Sequence, residues 1–382
     1  MNLEALFETL QALNEEYIQI WEDISNIESP TSYKEGVDAV GRYLMDHAKK
    51  KGWAVEVCPQ EVSGDAICIT MNKDATEAPI SLSGHMDTVQ PLGSFGTPAV
   101  HKDAEKMYGP GVHDCKGGII VALLLMDALE RCGYRKRPIQ LLLQSDEETG
   151  SRGSNKATIN WICKKSADCV AFFNLEGSSP GKATIARKGI ARYEITAHGR
   201  QAHSGKCDEG ASAIAQAAHM ILELEKFKDR PTLTCNCGTI VGGSTPNTVP
   251  GTCTFVADFR YSEQADKETA EAAVEKVTST EYVPGCTASY KLMSYRVSMP
   301  IYDRNVMLLQ TANKLLADAG MQTLVANKQS GGSDASDVSA AGIPCLDNFG
   351  IHGGKSHSEN EFAYLESLVR CAKQLGVIVS GM

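Results

Sequence analysis

The sequence predicts an α/β fold with a mainly parallel sheet, into which a smaller ferredoxin-like α+β unit is inserted. Three observations carry this expectation. Before residue 188, helical and β-rich stretches alternate, and the apolar run 139–144 has the character of a strand buried on both faces of a sheet. From 189 to 295 the order changes to βαββαβ, that of a ferredoxin-like unit. The α/β alternation resumes from Ile301. A chain of 382 residues exceeds one ordinary core. The expected organisation is therefore a main domain at 1–187 and 298–382, with an inserted domain at 188–297.

Residues 3–26 and 35–51 read as amphipathic helices; Pro30 and Thr31 break between them, and Lys51-Gly52 closes the second. β-rich runs follow at 54–57, 66–71 and 80–83. Residues 117–131 are helical and 139–144 form a strand, and a helix at 154–165 with a strand at 169–175 repeats the alternation. In the insert, 189–197 alternates as a strand and 211–227 has helical periodicity. Strands at 232–241 and 252–261, a helix at 266–277 and a strand at 287–295 complete it. Beyond come a helix at 303–319, strands near 322–327 and at 344–349, and a final helix over 361–380. No internal repeat or low-complexity tract is visible.

Hydrophobic residues at 42% and charged residues at 22% describe a soluble globular protein. The net charge is −10, from 37 basic and 47 acidic residues, with no basic block. That argues against nucleic acid or an anionic membrane as partner, but not against an anionic substrate, because divalent metals reverse the sign locally. The longest apolar run, Ile119 to Met126, is ended by Asp127 and is too short to span a bilayer. The first residues, Met1-Asn2-Leu3-Glu4-Ala5, lack the charged-then-apolar order of a secretion signal. Thirteen scattered cysteines without CxxC spacing fit reduced thiols and a cytoplasmic location better than a disulfide framework. Cys235 and Cys237 read as buried small hydrophobes rather than metal ligands.

Five potential ligands stand in the order that a two-metal hydrolase needs. They are His85 in Ser83-Gly84-His85-Met86-Asp87-Thr88, Asp114 in Gly109-Pro110-Gly111-Val112-His113-Asp114-Cys115-Lys116-Gly117-Gly118, and Glu148 in Asp146-Glu147-Glu148-Thr149-Gly150. Glu176 in Asn174-Leu175-Glu176-Gly177 and His357 in Ser356-His357-Ser358-Glu359-Asn360-Glu361 complete the set. Imidazole and carboxylate suit Zn²⁺, with Co²⁺ or Mn²⁺ as substitutes. Two His and three carboxylates can give each of two metals one His and one terminal carboxylate, with the third carboxylate bridging.

His85 and Asp87 lie two apart at a strand end and point the same way. The Asp87 carboxylate is thus expected to take the other ring N–H of His85. On its own, a His-x-Asp is an ordinary surface pair, and Asp114 could equally be a helix N-cap. Glu147 and Glu148 diverge at a strand end, so one can bind metal while the other faces the attacking water; Asp146 reads as part of a solvated acidic turn. His352 competes with His357. His101, His113, His198 and His219 have no motif context and read as structural or exposed.

From about Ile27 to the C-terminus these segments resemble those of the M20 family of metallopeptidases and amidohydrolases, and are closest in character to its carboxypeptidase G2 branch. The resemblance implies a di-zinc peptidase domain carrying an inserted dimerisation or lid domain. It gives His85, Asp114, Glu148, Glu176 and His357 as ligands, with Asp114 bridging and the peptide after it often cis. It gives Glu147 as general base and Asp87 as the partner of His85. Many relatives carry a second acidic residue where this chain has Cys115. In Gln201-Ala202-His203-Ser204-Gly205 it makes His203 the oxyanion donor, acting in dimeric relatives from the neighbouring subunit. On the substrate side it points to Asn247, Arg260, Arg296 and Gly332; for Arg296 the register is off by one, and a salt bridge is an equal reading of both arginines.

The implied reaction is hydrolysis of an amide or peptide bond in N-acyl amino acids or dipeptides with a free C-terminal carboxylate, by a homodimer. The rival readings are an aminoacylase-like or acetylornithine-deacetylase-like N-deacylase and a non-catalytic binding protein on the same scaffold. Nucleotide binding finds no GxGxxG or P-loop fingerprint.

Overall fold

A six-stranded sheet runs in the order Ala54–Cys58, Ala66–Met71, Ile139–Gln144, Ile80–His85, Ala171–Asn174, Cys345–Leu346. The last four strands are mutually parallel, and Ala66–Met71 is antiparallel to both of its neighbours. Ile80–His85 and Ala171–Asn174 are buried along their whole length, as strands covered on both faces must be. The structure is a computed structural model describing residues 1–228 and 231–382.

The helix Lys116–Arg131 carries the run Ile119 to Met126 and is buried almost all round, the mark of a helix inside a core rather than on its surface. It packs against Leu3–Asn26, Ser367–Gly381 and the sheet. Its first residue, Lys116, is fully buried, and the ammonium donates to the carbonyls of Ile24 and Ile27 at 3.0 and 2.8 Å. Burial pulls its pKa down to about 7, with Glu361 and Asp87 opposing. The N-terminal helix is thereby fastened to the turn that carries Asp114.

The chain forms two compact units: Met1–Ile185 with Ile301–Lys328 and Ser333–Met382, and Ala186–Pro300 with Gln329–Gly332. Residues 329–332, which the sequence pattern assigns to the main domain, go with the second unit because Lys188 N–H donates to Gln329 O and the Arg187 guanidinium to Gly331 O. The second unit is built on a four-stranded antiparallel sheet, ordered Leu233–Gly242, Thr252–Tyr261, Gly189–His198, Thr287–Arg296. Burial alternates strictly along Gly189–Ala197, with Ala191, Tyr193, Ile195 and Ala197 inward, the period of a strand with one covered face. Helices Ala213–Leu224 and Gln264–Ser279 pack on it.

Three expectations need correction. The helix expected at 154–165 begins at Ala157, because Asn155 and Lys156 have left-handed φ of 50° and 67° that a right-handed helix cannot include. The strand expected at 344–349 is only Cys345–Leu346, since Asn348 turns the chain with φ 63°. The last helix starts at Ser367, and Phe362–Tyr364 instead pairs with Lys106–Tyr108 in a small antiparallel sheet.

A Cβ on Gly118 would lie 2.0 Å from Leu175 O, so helix and strand approach here at backbone contact, one residue before Glu176. Gly118→Ala should therefore destabilise by about 1–3 kcal/mol through overpacking, outweighing the helix-propensity gain of about 1 kcal/mol. Chemical denaturation checks this; an unchanged or raised midpoint would show that the strand end yields freely.

Candidate metal centre

The parallel strands deliver their side chains to one edge of the sheet, at their C-terminal ends, where α/β proteins place ligands. Ile80–His85 ends on His85, Ile139–Gln144 leads into the turn Glu147–Thr149, and Ala171–Asn174 is followed by Leu175 and Glu176. Asp114 precedes the helix Lys116–Arg131, and the Asp114–Cys115 peptide is cis. His357 sits in the loop before Phe362–Tyr364 with φ 63°, a left-handed conformation that costs a non-glycine residue on the order of 1–3 kcal/mol.

These residues converge. His85 Nε2 is 3.2 Å from Asp114 Oδ1 and 3.8 Å from Glu176 Oε1. His357 Nε2 is 3.2 Å from both Asp114 Oδ2 and Glu148 Oε2. Asp114 thus offers one oxygen to each imidazole, the disposition of a bridging carboxylate. Donor atoms of His85, Asp114 and Glu148 lie within 4.8 Å of one another, as do those of His85, Cys115 and Glu176.

The protonation equilibria reflect crowding. Burial pushes the Glu176 carboxyl well above its ordinary range, and the Asp114 charge adds to this. Burial likewise raises Glu148 to about 7, with Asp114 and Glu147 adding and His357 opposing. Burial would raise Asp114 too, but hydrogen bonds with His357 and His85 hold it well below the usual value. His357 is held up to about 11 by Asp114 and Glu148. Burial disfavours the charged His85 ring, yet Cys115, Asp114 and Asp87 outweigh it and raise its pKa well above normal. Burial also pushes the Cys115 thiol up to about 12.

The Glu176 carboxylate accepts no hydrogen bond among the described residues and stands 3.8 Å from the His85 ring. A buried carboxylate without a donor is costly, and a divalent cation removes that cost. The imidazole and carboxylate donors fit such an ion.

A supporting shell fixes these side chains. His85 Nδ1 meets the backbone carbonyl of Asp87 at 2.9 Å, and the carboxylate only at 3.5 Å. The expected carboxylate partner is therefore mainly a carbonyl, because the two-residue spacing brings the backbone oxygen nearer. The Asp87 carboxylate instead accepts from Glu147 N–H, Glu148 N–H and the Thr31 hydroxyl, at 3.2, 3.1 and 2.7 Å. It ties the His85 strand to the Glu147–Glu148 turn. Asp146 is not solvated: it is fully buried and accepts from Thr158 Oγ1 and Ser154 N–H at 2.7 and 2.8 Å.

Glu361, absent from the sequence-based candidates, is fully buried and accepts the backbone N–H groups of His113 and Asp114 at 2.9 and 3.0 Å and the Gln90 amide at 2.8 Å. Its place four residues after His357 was the only signal. His113 also contributes, through Nδ1 at 2.8 Å from Ser356 Oγ beside His357. His352 lies outside the cluster and receives a hydrogen bond from Arg370 at 2.9 Å.

The remaining candidates lie in the second unit. His203 Nδ1 accepts the Gly205 N–H at 3.1 Å, so its neutral ring carries the proton on Nε2. The Asn247 carbonyl accepts Ser204 N–H at 2.9 Å, placing it beside His203. Arg260 is ion-paired with Asp258 at 2.7 Å. Arg296 is buried, and its Cδ would lie 2.6 Å from a Cβ on Gly332.

The chain is similar to several known proteins. Residues 81–380 match the model of peptidase family M20/M25/M40. Carboxypeptidase G2 of Pseudomonas sp. (strain RS-16) is 28% identical over 359 residues, 92% of this chain and 86% of that protein. Acetylornithine deacetylase of Myxococcus xanthus is 28% identical over 253 residues, 60% of this chain and 63% of that one. A tripeptidase from Staphylococcus aureus has the same fold, with a TM-score of 0.81 at 21% identity over 96% of this chain and 98% of its own. An M20 family metallo-carboxypeptidase from Sulfolobus solfataricus gives 0.75 at 17% identity over 96% and 98%. Because the matched stretch contains every candidate ligand from His85 to His357, the chain belongs to peptidase family M20/M25/M40 and is a hydrolase of that metal-dependent family.

Proposed function

We propose that the protein hydrolyses the amide bond of N-acyl amino acids or dipeptides that end in a free carboxylate, as a carboxypeptidase G2-like enzyme. The observation that carries the reading is Asp114, presenting one oxygen to His85 and the other to His357 beside the Glu147–Glu148 pair. Two zinc ions would be held by His85 with Glu176 and by His357 with Glu148, sharing Asp114. Bound there, such ions polarise a carbonyl and lower the pKa of water.

Glu147 takes a proton from the attacking water and passes it to the departing amine. Asp87 holds the Glu147–Glu148 backbone and the His85 ring in place. His203, with its proton on Nε2, donates to the developing oxyanion. Asn247, Arg260, Arg296 and Gly332 complete the substrate side; guanidinium groups match a carboxylate bidentately. A homodimer in a cytoplasmic setting belongs to the same proposal; its thirteen cysteines are scattered and show no CxxC spacing. N-deacylation of the acetylornithine-deacetylase kind is the second reading, favoured by the similarity to the Myxococcus xanthus protein; it uses the same residues with a different acyl group.

Glu147→Gln should retain its metals by elemental analysis yet lose about 10²–10⁴ in kcat, the usual weight of a general acid–base group. Glu148→Ala should lose metal. Equal metal loss in both variants would remove Glu147 from the role of base.

Amidating the C-terminal carboxylate of the best substrate in a screen of N-acyl amino acids and dipeptides should abolish turnover. Retained turnover, or release of N-terminal residues from free-amine peptides, would point to an aminopeptidase instead.

A further inference from the structure

Cys115 follows the bridging Asp114 and is fully buried. Its Sγ accepts the His85 backbone N–H at 3.0 Å, and it joins His85 and Glu176 in a group whose donor atoms lie within 4.8 Å of one another. On the same side, the Glu176 carboxylate has no hydrogen-bond donor among the described residues and stands 3.8 Å from His85 Nε2. Tetrahedral zinc, with sulfur at about 2.3 Å and nitrogen or oxygen at about 2.0–2.2 Å, sets its donors roughly 3.5 Å apart. The His85–Glu176 spacing is already close to that, and drawing in the sulfur requires a contraction of at most about 1.3 Å.

We propose that Cys115 Sγ is a fourth protein donor, beside His85, Glu176 and the shared Asp114, for the cation on that side of the cluster, so that this position favours thiophilic ions over magnesium or manganese. The inference rests on the metal centre proposed above and adds a ligand to it. A sulfur–metal bond forms, a metal–water bond breaks, the thiol proton leaves to solvent, and no electrons are transferred. The His85 N–H remains as a donor to the thiolate, stabilising its charge. Imidazole, carboxylate and thiolate together suit zinc or cobalt, whereas manganese and magnesium prefer oxygen.

The test is cobalt. Protein stripped by a chelator and reloaded with Co²⁺ should show visible d–d bands together with a near-ultraviolet sulfur-to-cobalt charge-transfer band. Cys115→Ser should lose the near-ultraviolet band and keep the d–d bands. Visible bands without the charge-transfer band in the wild-type protein overturn the sulfur ligand and leave the metal centre standing. A charge-transfer band that survives in Cys115→Ser assigns the sulfur to another cysteine and also overturns it. Absence of both bands sinks the metal centre itself. If the serine variant does not fold, X-ray absorption of the zinc-loaded wild-type protein decides. A sulfur neighbour at about 2.3 Å supports the proposal, and a shell of nitrogen and oxygen alone at about 2.0–2.2 Å ends it.

Discussion

Like charges crowded into a poorly hydrated cleft are the constraint on which the rest of this structure turns. Asp114, Glu148 and Glu176 sit close enough to disturb one another's ionisation. Around them the chain supplies compensation residue by residue. Asp114 has two imidazoles, Asp87 has two backbone N–H groups and a hydroxyl, and Glu361 has two backbone N–H groups and an amide. Glu176 is the exception, and it is the position at which a cation contributes most.

The backbone is arranged to keep these charges apart by fixed distances. Three parallel strands end side by side, so His85 is the last residue of one, Glu176 lies two residues beyond another, and Glu148 sits in the short turn that follows the third. The other two candidate ligands, Asp114 and His357, are joined instead by side-chain bridges: Glu361 to the Asp114 turn, and Ser356 to His113. Gly118 lets the central helix reach the Leu175 carbonyl, setting the height of Glu176 relative to Asp114.

The regular elements were legible wherever a period or an apolar run decides: the helix Leu3–Asn26 and the alternating Gly189–His198 by period, the strand Ile139–Gln144 by its apolar run. The small sheet of Lys106–Tyr108 and Phe362–Tyr364 was not, because strands of 3 residues carry no period and owe their form to each other. The candidate site was legible as a set of residue types in order, since few side chains can hold a cation. Its support was not. Glu359 and Glu361 look alike in sequence, and only the fold turns the second towards the Asp114 backbone. Asp146 reads as an exposed acid until Thr158 and Ser154 close over it. For Asp87, spacing placed the residue beside His85 but could not tell the carboxylate from the nearer backbone oxygen.

The inserted unit has a further consequence for how the protein is made. His85, Asp114, Glu148 and Glu176 all precede residue 186, while His357 and Glu361 follow the insert. A chain emerging from the ribosome therefore exposes four of its five candidate ligands and waits through the synthesis of an entire second core before the fifth appears. Domains fold as units during synthesis, so the insert, contiguous over 186–300, forms its own sheet in that interval. The main core, and any affinity for metal that depends on His357, matures last.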